Sequence, residues 1–223
     1  SFDSSGDSLH RRGYRKEMTI APMSEVLANG LLRLTGYRGD RPLYDPMCGS
    51  GTFPIEASII ADHIPAGIYR DSFGFMNWLD YDKELHALIH VSALKKISES
   101  PNEIFASDID SGSVRISKSN SELALVEDRI SWSEKDFMLS DPPKKRGLLV
   151  INPPYGRRID SDIELTYQRI GEHLRKAYKG WTAWIVVPSA KASKALQMKS
   201  KRQIAFQNGD LDCMWQEFDI YTQ

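Results

Sequence analysis

Short apolar runs alternate with longer segments of helical periodicity along most of the chain. The apolar runs have the composition of strands buried on both faces of a parallel sheet, and they fall at residues 42–44, 104–107, 130–132, 148–151 and 182–187. Helices are predicted at residues 21–34, 54–61, 83–98, 111–125, 164–177 and 190–198. Strand alternating with helix predicts an α/β fold, with a doubly wound, mostly parallel sheet and helices on both faces.

A different pattern follows the last of these helices. Residues 203–206 and 211–221 are both strand-like, and residues 207–210 between them contain Asn208-Gly209, a strong signal for a tight hairpin. We therefore expect seven strands, the last two forming an antiparallel hairpin on an otherwise parallel sheet. By analogy between folds, a hairpin in this position is not typical of nicotinamide dehydrogenases.

One segment does not fit the alternation. Residues 63–82 carry an arginine among five aromatic side chains, and these six residues are Tyr69, Arg70, Phe73, Phe75, Trp78 and Tyr81. The aromatics either wall a ligand pocket or pack the insertion onto its own helices. We favour packing, because aromatic side chains chiefly contribute buried area.

Composition indicates one ordinary soluble domain. The chain has 223 residues, of which 41% are hydrophobic and 26% charged, enough for one full core. Its net charge of −1 excludes a surface that is basic throughout, so any nucleic-acid contact must be a local patch. Cys48 and Cys213 are far apart and lack zinc-site spacing, so we expect no metal site, no disulfide and a reducing compartment.

The boundaries of the chain also carry expectations. There is no apolar run of about 18 residues and no signal-peptide pattern, which predicts a cytoplasmic protein without a membrane anchor. Residues 1–20 are expected to form a linker and a basic arm, and residues 21–223 a single folded domain. Because Ser1 opens a linker-like stretch without a methionine, we expect a further segment before it in the full-length protein.

Positive charge is concentrated near the N-terminus. Residues 9–16 read LHRRGYRK, so a glycine and a tyrosine stand among basic side chains. This composition is typical of an arm that contacts nucleic-acid phosphates and equally of a solvated loop. The candidate phosphate contacts are Arg11, Arg12, Arg15 and Lys16.

The predicted site is organised around residues 43–53, LYDPMCGSGTF, which begin in the first strand. The strand is followed by an acidic residue, Asp45, then by a tight turn through Gly49 and Gly51 and the start of a helix. In open α/β sheets, this unit holds a nucleotide-like ligand at the carboxyl end of a strand. Glycine lets the backbone approach that ligand closely, so we predict a cofactor site here.

The residues after the turn narrow the choice of cofactor. A dinucleotide fingerprint needs a third glycine where this chain has Pro54, and a phosphate loop needs a lysine directly after Gly51. A nucleoside without a phosphate chain fits better, and Asp45 suits a ligand that carries an ammonium or sulfonium group. S-adenosylmethionine meets both conditions.

Acidic residues also follow the second and third strands. Asp108 is placed to accept hydrogen bonds from both ribose hydroxyls, whereas Asp110, two residues later, is equally suited to cap the next helix. After the third strand, Asp136 offers a carboxylate to an adenine amino group and Phe137 an aromatic ring to flank the base. The three positions lie in register after successive strands, which supports a single nucleoside site.

The most specific motif, Asn152-Pro153-Pro154-Tyr155, follows the fourth strand. The prolines make a rigid turn, and the Asn152 side-chain oxygen and the Pro153 carbonyl can accept both hydrogens of an NH₂ group. Tyr155 can stack on the planar group that carries this NH₂. Methylation of such an amine depends mainly on positioning and electrostatics, since the nitrogen can lose its proton after transfer. Arg157 and Arg158 follow as further candidate phosphate contacts or as part of a solvated loop.

Taken together, DPMCGSGT, ASDID and NPPYG resemble the motifs of class I S-adenosylmethionine-dependent methyltransferases that act on amino groups. More narrowly, LHRRGYR, APMSEVLANGLLRLTGY and LYDPMCGSGTFPIEAS resemble the bacterial 23S rRNA guanine-N2 methyltransferase family, often labelled N6-adenine-specific DNA methylases. The resemblance runs from Leu9 onward. It implies a Rossmann-like class I methyltransferase fold, S-adenosylmethionine as methyl donor with S-adenosylhomocysteine as product, 23S rRNA as partner, and an N-terminal THUMP domain in the full-length protein.

The resemblance also implies roles for individual residues. Asp45 and the turn from Cys48 to Thr52 would hold the methionine portion, Asp108 the ribose, Asp136 and Phe137 the adenine, and residues 152–155 the target amine. The implied cofactor contacts are Ala21, Pro22, Asp45, Pro46, Cys48, Gly49, Ser50, Gly51, Thr52, Asp108, Ile109, Asp136 and Phe137.

Several functions stay open from the residues alone. The motif after the fourth strand serves any planar NH₂, so adenine N6 of DNA or RNA and the glutamine amide of a protein are alternative targets to guanine N2. A non-catalytic RNA-binding module is an alternative of another class. A nicotinamide oxidoreductase is disfavoured by Pro54 and by the predicted hairpin.

Overall fold

A computed structural model describes residues 3–9, 12–15, 23–154 and 163–221. The strands of these ranges form one sheet and are β1 (Leu43–Asp45), β2 (Ile104–Asp108), β3 (Ile130–Glu134), β4 (Leu148–Ile151), β5 (Thr182–Val187), β6 (Arg202–Asn208) and β7 (Leu211–Asp219). The α-helices are α1 (Glu25–Leu34), α2 (Thr52–Ala61), α3 (Lys83–Leu94), α4 (Ser111–Leu123), α5 (Ile163–Ala177) and α6 (Ala190–Ala195). None of the helices in these ranges is long and apolar enough to span a membrane.

The sheet has the order β3-β2-β1-β4-β5-β7-β6. Strands β1 to β5 pair in parallel, whereas β7 is antiparallel to both β5 and β6. The predicted seven-stranded, mostly parallel sheet with a terminal hairpin is therefore confirmed. The hairpin loop is Gly209-Asp210, with Gly209 at φ 61°, because Asn208 still pairs with Leu211.

The order of the strands fixes where a ligand can bind. The chain proceeds from β1 outward to β2 and β3 and then returns to the other side of β1 at β4. At such a switch point, the connections after adjacent strands leave in opposite directions and open a crevice at the carboxyl edge. The glycine turn follows β1 and Asn152 follows β4, so the turn and Asn152 both border this crevice.

Side chains cover both faces of the sheet. All residues of β1 and β4 are buried, as expected for central strands that have helices on each side. One core cluster joins the sheet to α1 and α2 through residues such as Leu31, Ile55 and Trp215. The other joins it to α5 through residues such as Ile170 and Leu174.

Helix α3 departs from the predicted pattern. It ends at Leu94 rather than at residue 98, and none of its residues is buried. Because α2 already forms the helical connection that covers the sheet between β1 and β2, α3 belongs to the inserted segment instead. Within this insertion, Phe75 lies 5.4 Å from Phe73 and 5.4 Å from His86 of α3, ring centroid to ring centroid. Phe73, Phe75 and Tyr81 thus pack on one another and on His86 of α3, as favoured from the sequence. Tyr69 instead packs edge-on against Tyr14 at 5.8 Å.

Candidate functional site

The glycine turn after β1 has a backbone that other residues rarely adopt. Gly49 has φ 54° and Gly51 has φ 82°, both in the left-handed region. A Cβ atom at Gly51 would lie 3.0 Å from Cβ of Ser117 and 3.1 Å from the Trp132 ring. Helix α2 begins at the next residue, and its N-terminus has no side-chain cap. The turn therefore brings an uncapped helix N-terminus to the carboxyl edge of the sheet.

Helix α4 holds the turn by two hydrogen bonds. Ser117 donates its hydroxyl to the Gly49 carbonyl at 2.7 Å, and Asn120 donates its side-chain amide to the Ser50 carbonyl at 3.1 Å. Both side chains are fully buried. Sequence analysis missed these two residues; the available signal was a pair of small polar residues three positions apart on an amphipathic helix.

Strand β2 holds the turn from a second direction. The backbone N–H of Cys48 donates to the Ser107 carbonyl at 3.0 Å, and the Ser107 hydroxyl donates to the Pro46 carbonyl at 3.4 Å. Asp108 accepts from the Gly49 N–H at 2.9 Å through one carboxylate oxygen and from the Asp110 N–H at 3.0 Å through the other. The turn and the end of β2 thus form one hydrogen-bonded unit.

The structure brings Asp45 and Asp108 together as the sequence predicts. Asp45 is 1% exposed and accepts a hydrogen bond from the Met47 N–H at 3.2 Å. Burial raises the pKa of Asp45 well above its usual range, and the negative charge of Asp108 adds to this rise. A cationic ligand group beside these carboxylates would relieve the repulsion.

Cys48 lies in the same turn but is not a reactive thiol. Its side chain is buried, and its sulfur lies 3.7 Å from the Ser117 hydroxyl. Burial raises the pKa of the Cys48 thiol, and the nearby Asp45 and Asp108 raise it further. Because the thiolate is the reactive form, Cys48 is a small packing residue here.

The acidic residues after β2 and β3 divide into two roles. Asp110 caps α4 by accepting from the Ser113 N–H at 2.8 Å, one of the two roles that its spacing allowed. Asp136 likewise accepts from the Met138 N–H at 2.8 Å and caps a short 3₁₀ helix. Asp108 is the carboxylate that reaches the glycine turn.

Phe137 does not lie where an adenine ring could stack on it. Its side chain is 2% exposed, and its ring packs edge-on against His173 at 4.9 Å and near Tyr178 at 5.4 Å. The ring belongs to the core beneath α5 because the 3₁₀ helix turns it inward. Ile109, which follows Asp108, is 68% exposed and offers the apolar surface at this edge that was predicted for Phe137.

The turn after β4 contains an unpaired acceptor. The Oδ1 atom of Asn152 is buried, and among the described residues it has no hydrogen-bond partner. Pro153 is buried beside it, whereas Pro154 is exposed. Leaving a buried acceptor without a donor costs about 1–3 kcal/mol. A ligand NH₂ group at this position would supply the missing donor.

The predicted basic arm has a different arrangement from the one expected. Arg12 is 7% exposed, and its Nε lies 2.8 Å from Glu56 of α2. Arg15 pairs with Glu25 at 3.1 Å, and its side chain is 12% exposed. The predicted phosphate contacts of Arg12 and Arg15 are therefore corrected, because both guanidinium groups are buried in ion pairs. Arg11, Lys16, Ala21, Pro22, Tyr155, Arg157 and Arg158 lie outside the described residues.

The described part of the chain also shows how its His, Cys, Asp and Glu side chains are distributed. Within these ranges, no group of three or more His, Cys, Asp or Glu side chains is arranged to hold a metal ion. The arrangement suits nucleoside binding beside a planar amine.

Comparison with known proteins identifies the family. Residues 12–217 match the family model described as UPF0020: RMKL-like, methyltransferase domain. This match covers most of the chain, from the buried Arg12 to strand β7. The chain therefore belongs to the RMKL-like methyltransferase domain family.

Two curated relatives match nearly the whole chain. A Synechocystis sp. protein provisionally named as an RNA methyltransferase is 35% identical over 224 residues, which are 99% of this chain and 58% of the relative. The ribosomal RNA large subunit methyltransferase K/L of Shewanella pealeana is 37% identical over 225 residues, 98% of this chain and 31% of the relative. The chain thus spans about three fifths or less of these relatives' lengths.

Solved structures show the same fold. SMU.472, provisionally described as a methyltransferase and crystallised with SAH, superposes with a TM-score of 0.89 at 30% identity, covering 99% of this chain and 58% of that one. A protein of Listeria monocytogenes described as a predicted N6-adenine-specific DNA methylase superposes with a TM-score of 0.85 at 29% identity, covering 97% and 57%. The Rossmann-like methyltransferase fold predicted from the sequence is confirmed.

Proposed function

We propose that this member of the RMKL-like family transfers a methyl group from S-adenosylmethionine to the N2 amino group of a guanine in 23S rRNA. The observation that carries the proposal is the buried Oδ1 of Asn152 directly after β4, which has no hydrogen-bond partner among the described residues. It lies at the sheet edge that also holds the glycine turn and Asp108. An acceptor for a planar NH₂ and a nucleoside cradle are the two parts that such a transfer needs.

The residues of the cradle fit the proposed donor. Asp45 offers an acidic group where the donor carries an ammonium and a sulfonium group, and Asp108 would accept hydrogen bonds from the ribose hydroxyls. Burial raises the pKa of Asp45, the charge of Asp108 adds to this rise, and a cationic ligand would favour the ionised form. The left-handed turn at Gly49 and Gly51 leaves no side chain between backbone and ligand. S-adenosylmethionine would supply an electrophilic methyl group and leave as S-adenosylhomocysteine.

Asn152 and Pro153 would orient the target. The Asn152 Oδ1 and the Pro153 carbonyl accept the two amine hydrogens, which directs the nitrogen lone pair out of the plane of the base. The methylated nitrogen then loses a proton to solvent, so no strong base is required. The described residues around Asn152 act by position and electrostatics, and buried acceptors do so at no cost of reorganisation during the reaction.

The choice of guanine in rRNA rests on the sequence resemblance and on the name of the Shewanella pealeana relative. Ribosomal RNA as substrate agrees with a cytoplasmic location. Because the chain spans 58% of the Synechocystis relative, we also propose that a further domain, of THUMP type, helps to deliver the RNA in the full-length protein.

Adenine N6 in DNA is a second candidate, favoured by the description of the Listeria monocytogenes neighbour. Asn152 and Pro153 do not discriminate between the amines of guanine and adenine, since both present a planar NH₂. The substrate must therefore be identified by its product.

The test measures methyl transfer from radiolabelled S-adenosylmethionine by this chain and by the full-length protein. The substrates are protein-free 23S rRNA and, in parallel, duplex DNA and a protein release factor. Nucleoside analysis should find the label in N2-methylguanosine. Label in N6-methyladenine would favour the second candidate, and label in the release factor would favour a glutamine amide. If the full-length protein binds the cofactor but transfers label to none of these substrates, the result would favour a non-catalytic RNA-binding module.

A further inference from the structure

Arg15 joins three parts of the chain that meet at the start of α2. One guanidinium nitrogen donates to the Met23 carbonyl at 2.6 Å and lies 3.5 Å from the Thr52 hydroxyl. The other donates to Glu25 at 3.1 Å, and the side chain of Glu25 is only 4% exposed. Arg15 therefore connects the residues before α1, the first turn of α1 and the first residue of α2.

The contact with Thr52 leads directly to the glycine turn. The hydroxyl groups of Thr52 and Ser50 lie 3.4 Å apart, and both residues are buried. From α4, Asn120 donates its side-chain amide to the Ser50 carbonyl. The turn is thus held by two supports, Asn120 directly and Arg15 through Thr52.

The charges around Arg15 favour a positioning role over direct anion binding. A cation at the N-terminus of α2 opposes the helix dipole unless another charge neutralises it. Glu25 provides that charge, and because it lies in the first turn of α1 it is itself favourably placed relative to the dipole of that helix. With Glu25 and two oxygen acceptors around it, the Arg15 guanidinium is committed to protein contacts.

We propose that Arg15 is a positioning residue of the cofactor site. It fixes Thr52 and Ser50 so that the turn receives the amino-acid end of S-adenosylmethionine, without touching the reacting groups. This proposal rests on the cofactor assigned under the proposed function, but it concerns a residue outside the glycine motif. It also gives Arg15, one of the basic residues of the arm, a role other than phosphate contact.

The test compares two ligands that differ only in the amino-acid end. S-adenosylhomocysteine carries the amino-acid end, whereas 5′-deoxy-5′-methylthioadenosine lacks the amino and carboxyl groups. Arg15→Ala should weaken S-adenosylhomocysteine binding in calorimetry by about tenfold or more, because the contact of the charged guanidinium with Thr52, which supports the turn, is lost. Its affinity for the methylthio analogue should stay within about twofold of the wild-type value.

Two further variants separate positioning from general stability. Arg175 of α5 donates to the carbonyls of Leu196 and Gln197 at 2.7 and 3.2 Å, far along the chain from the glycine turn. Arg175→Ala removes hydrogen bonds to backbone carbonyls, as Arg15→Ala does. It should leave the affinities for both ligands unchanged even if its Tm falls as much as that of Arg15→Ala. Arg15→Lys should restore part of the affinity, because an ammonium keeps the charge beside Glu25 but lacks the planar fork that reaches several acceptors.

The proposal is overturned if Arg15→Ala binds S-adenosylhomocysteine as the wild-type chain does. It is equally overturned if both ligands lose affinity to the same extent, since that pattern indicates a general loss of structure. If the wild-type chain binds neither ligand, the assigned cofactor fails instead, which is a distinct result.

Discussion

The Asp108 carboxylate accepts a hydrogen bond from the backbone N–H of Gly49 at 2.9 Å, and so the end of β2 and the turn after β1 form one unit. Asp108 therefore holds the turn, and in the proposed function it also presents a charged acceptor to the ribose of the cofactor. Asp108→Asn keeps the size of the side chain but removes its charge. Because hydrogen bonds to charged groups contribute about 1.5–3 kcal/mol, S-adenosylhomocysteine affinity should fall by about tenfold or more.

Calorimetric titration of Asp108→Asn with S-adenosylhomocysteine checks this expectation. Asp110→Asn is the matched control, since Asp110 lies two residues away and caps α4 instead of holding the turn. The control should bind as the wild-type chain does. Equal losses in both variants would mean that the end of β2 acts only as a structural unit.

Asp45 should make the ligand-free protein less stable as the pH rises. Burial, together with the negative charge of Asp108, raises the pKa of Asp45. A carboxyl group whose pKa is higher in the folded than in the unfolded state stabilises the fold while it is protonated, and this contribution is lost as pH rises toward the folded-state pKa. Asp45→Asn should therefore raise Tm at pH 8 relative to the wild-type chain, by more than at pH 4.

The control variant, Asp110→Asn, should change Tm in the opposite direction. Hydrogen bonds from Ser113 lower the pKa of Asp110, so its ionised form stabilises the fold above the usual aspartate pKa. Asp110→Asn should lower Tm at pH 8. Thermal melts of both variants at the two pH values, without ligand, provide the comparison. A Tm of Asp45→Asn below the wild-type value at pH 8 would contradict the assigned burial effect.

The buried pair of Arg12 and Glu56 should be structural and unrelated to RNA affinity. Glu56 is fully buried and accepts hydrogen bonds from Tyr14 at 2.9 Å and from Asn29 at 2.8 Å. Glu56→Ala leaves the Arg12 charge uncompensated and should cost about 3–5 kcal/mol of unfolding free energy. Replacing both, as Arg12→Met with Glu56→Leu, removes the uncompensated charge and should recover part of this loss; the rest stays because Tyr14 and Asn29 lose their acceptor.

Urea unfolding measures the stability of these variants, and filter binding measures their RNA affinity at several salt concentrations. The double variant should keep the RNA affinity and salt dependence of the wild-type chain. A clear reduction in the salt dependence would return Arg12 to the phosphate-contacting surface.

Much of the fold follows from local patterns in the sequence. Strands β4 and β5 match their predicted bounds at both ends, because an uninterrupted apolar run between polar turns has no competing interpretation. The predicted end of α3 was wrong by four residues. The helical periodicity of the sequence continues beyond Leu94, and it does not show where the helix stops.

The site was only partly predictable for a related reason. Gly51 and Asp108 could be predicted because each lies at or just after the end of a strand, and the sequence shows the strand ends locally. The roles of Ser117, Asn120 and Phe137 depend on which element, distant in sequence, each side chain contacts in the fold. The spacing of residues along the chain does not predict those contacts. Arg12 and Arg15 have the composition of an exposed arm, and only the buried Glu56 and Glu25 give them another role.

The measurement that tests the central claim most directly is the effect of Asn152→Ala on methyl transfer and on cofactor binding in the same preparation. Removing an acceptor used in the transition state should lower kcat by about 10²–10³-fold. The affinity for S-adenosylhomocysteine should stay within about twofold, because in the proposed function the side chain contacts the target amine and not the cofactor. A variant that keeps its kcat but loses cofactor affinity would contradict the account, since Asn152 would then belong to the cofactor pocket.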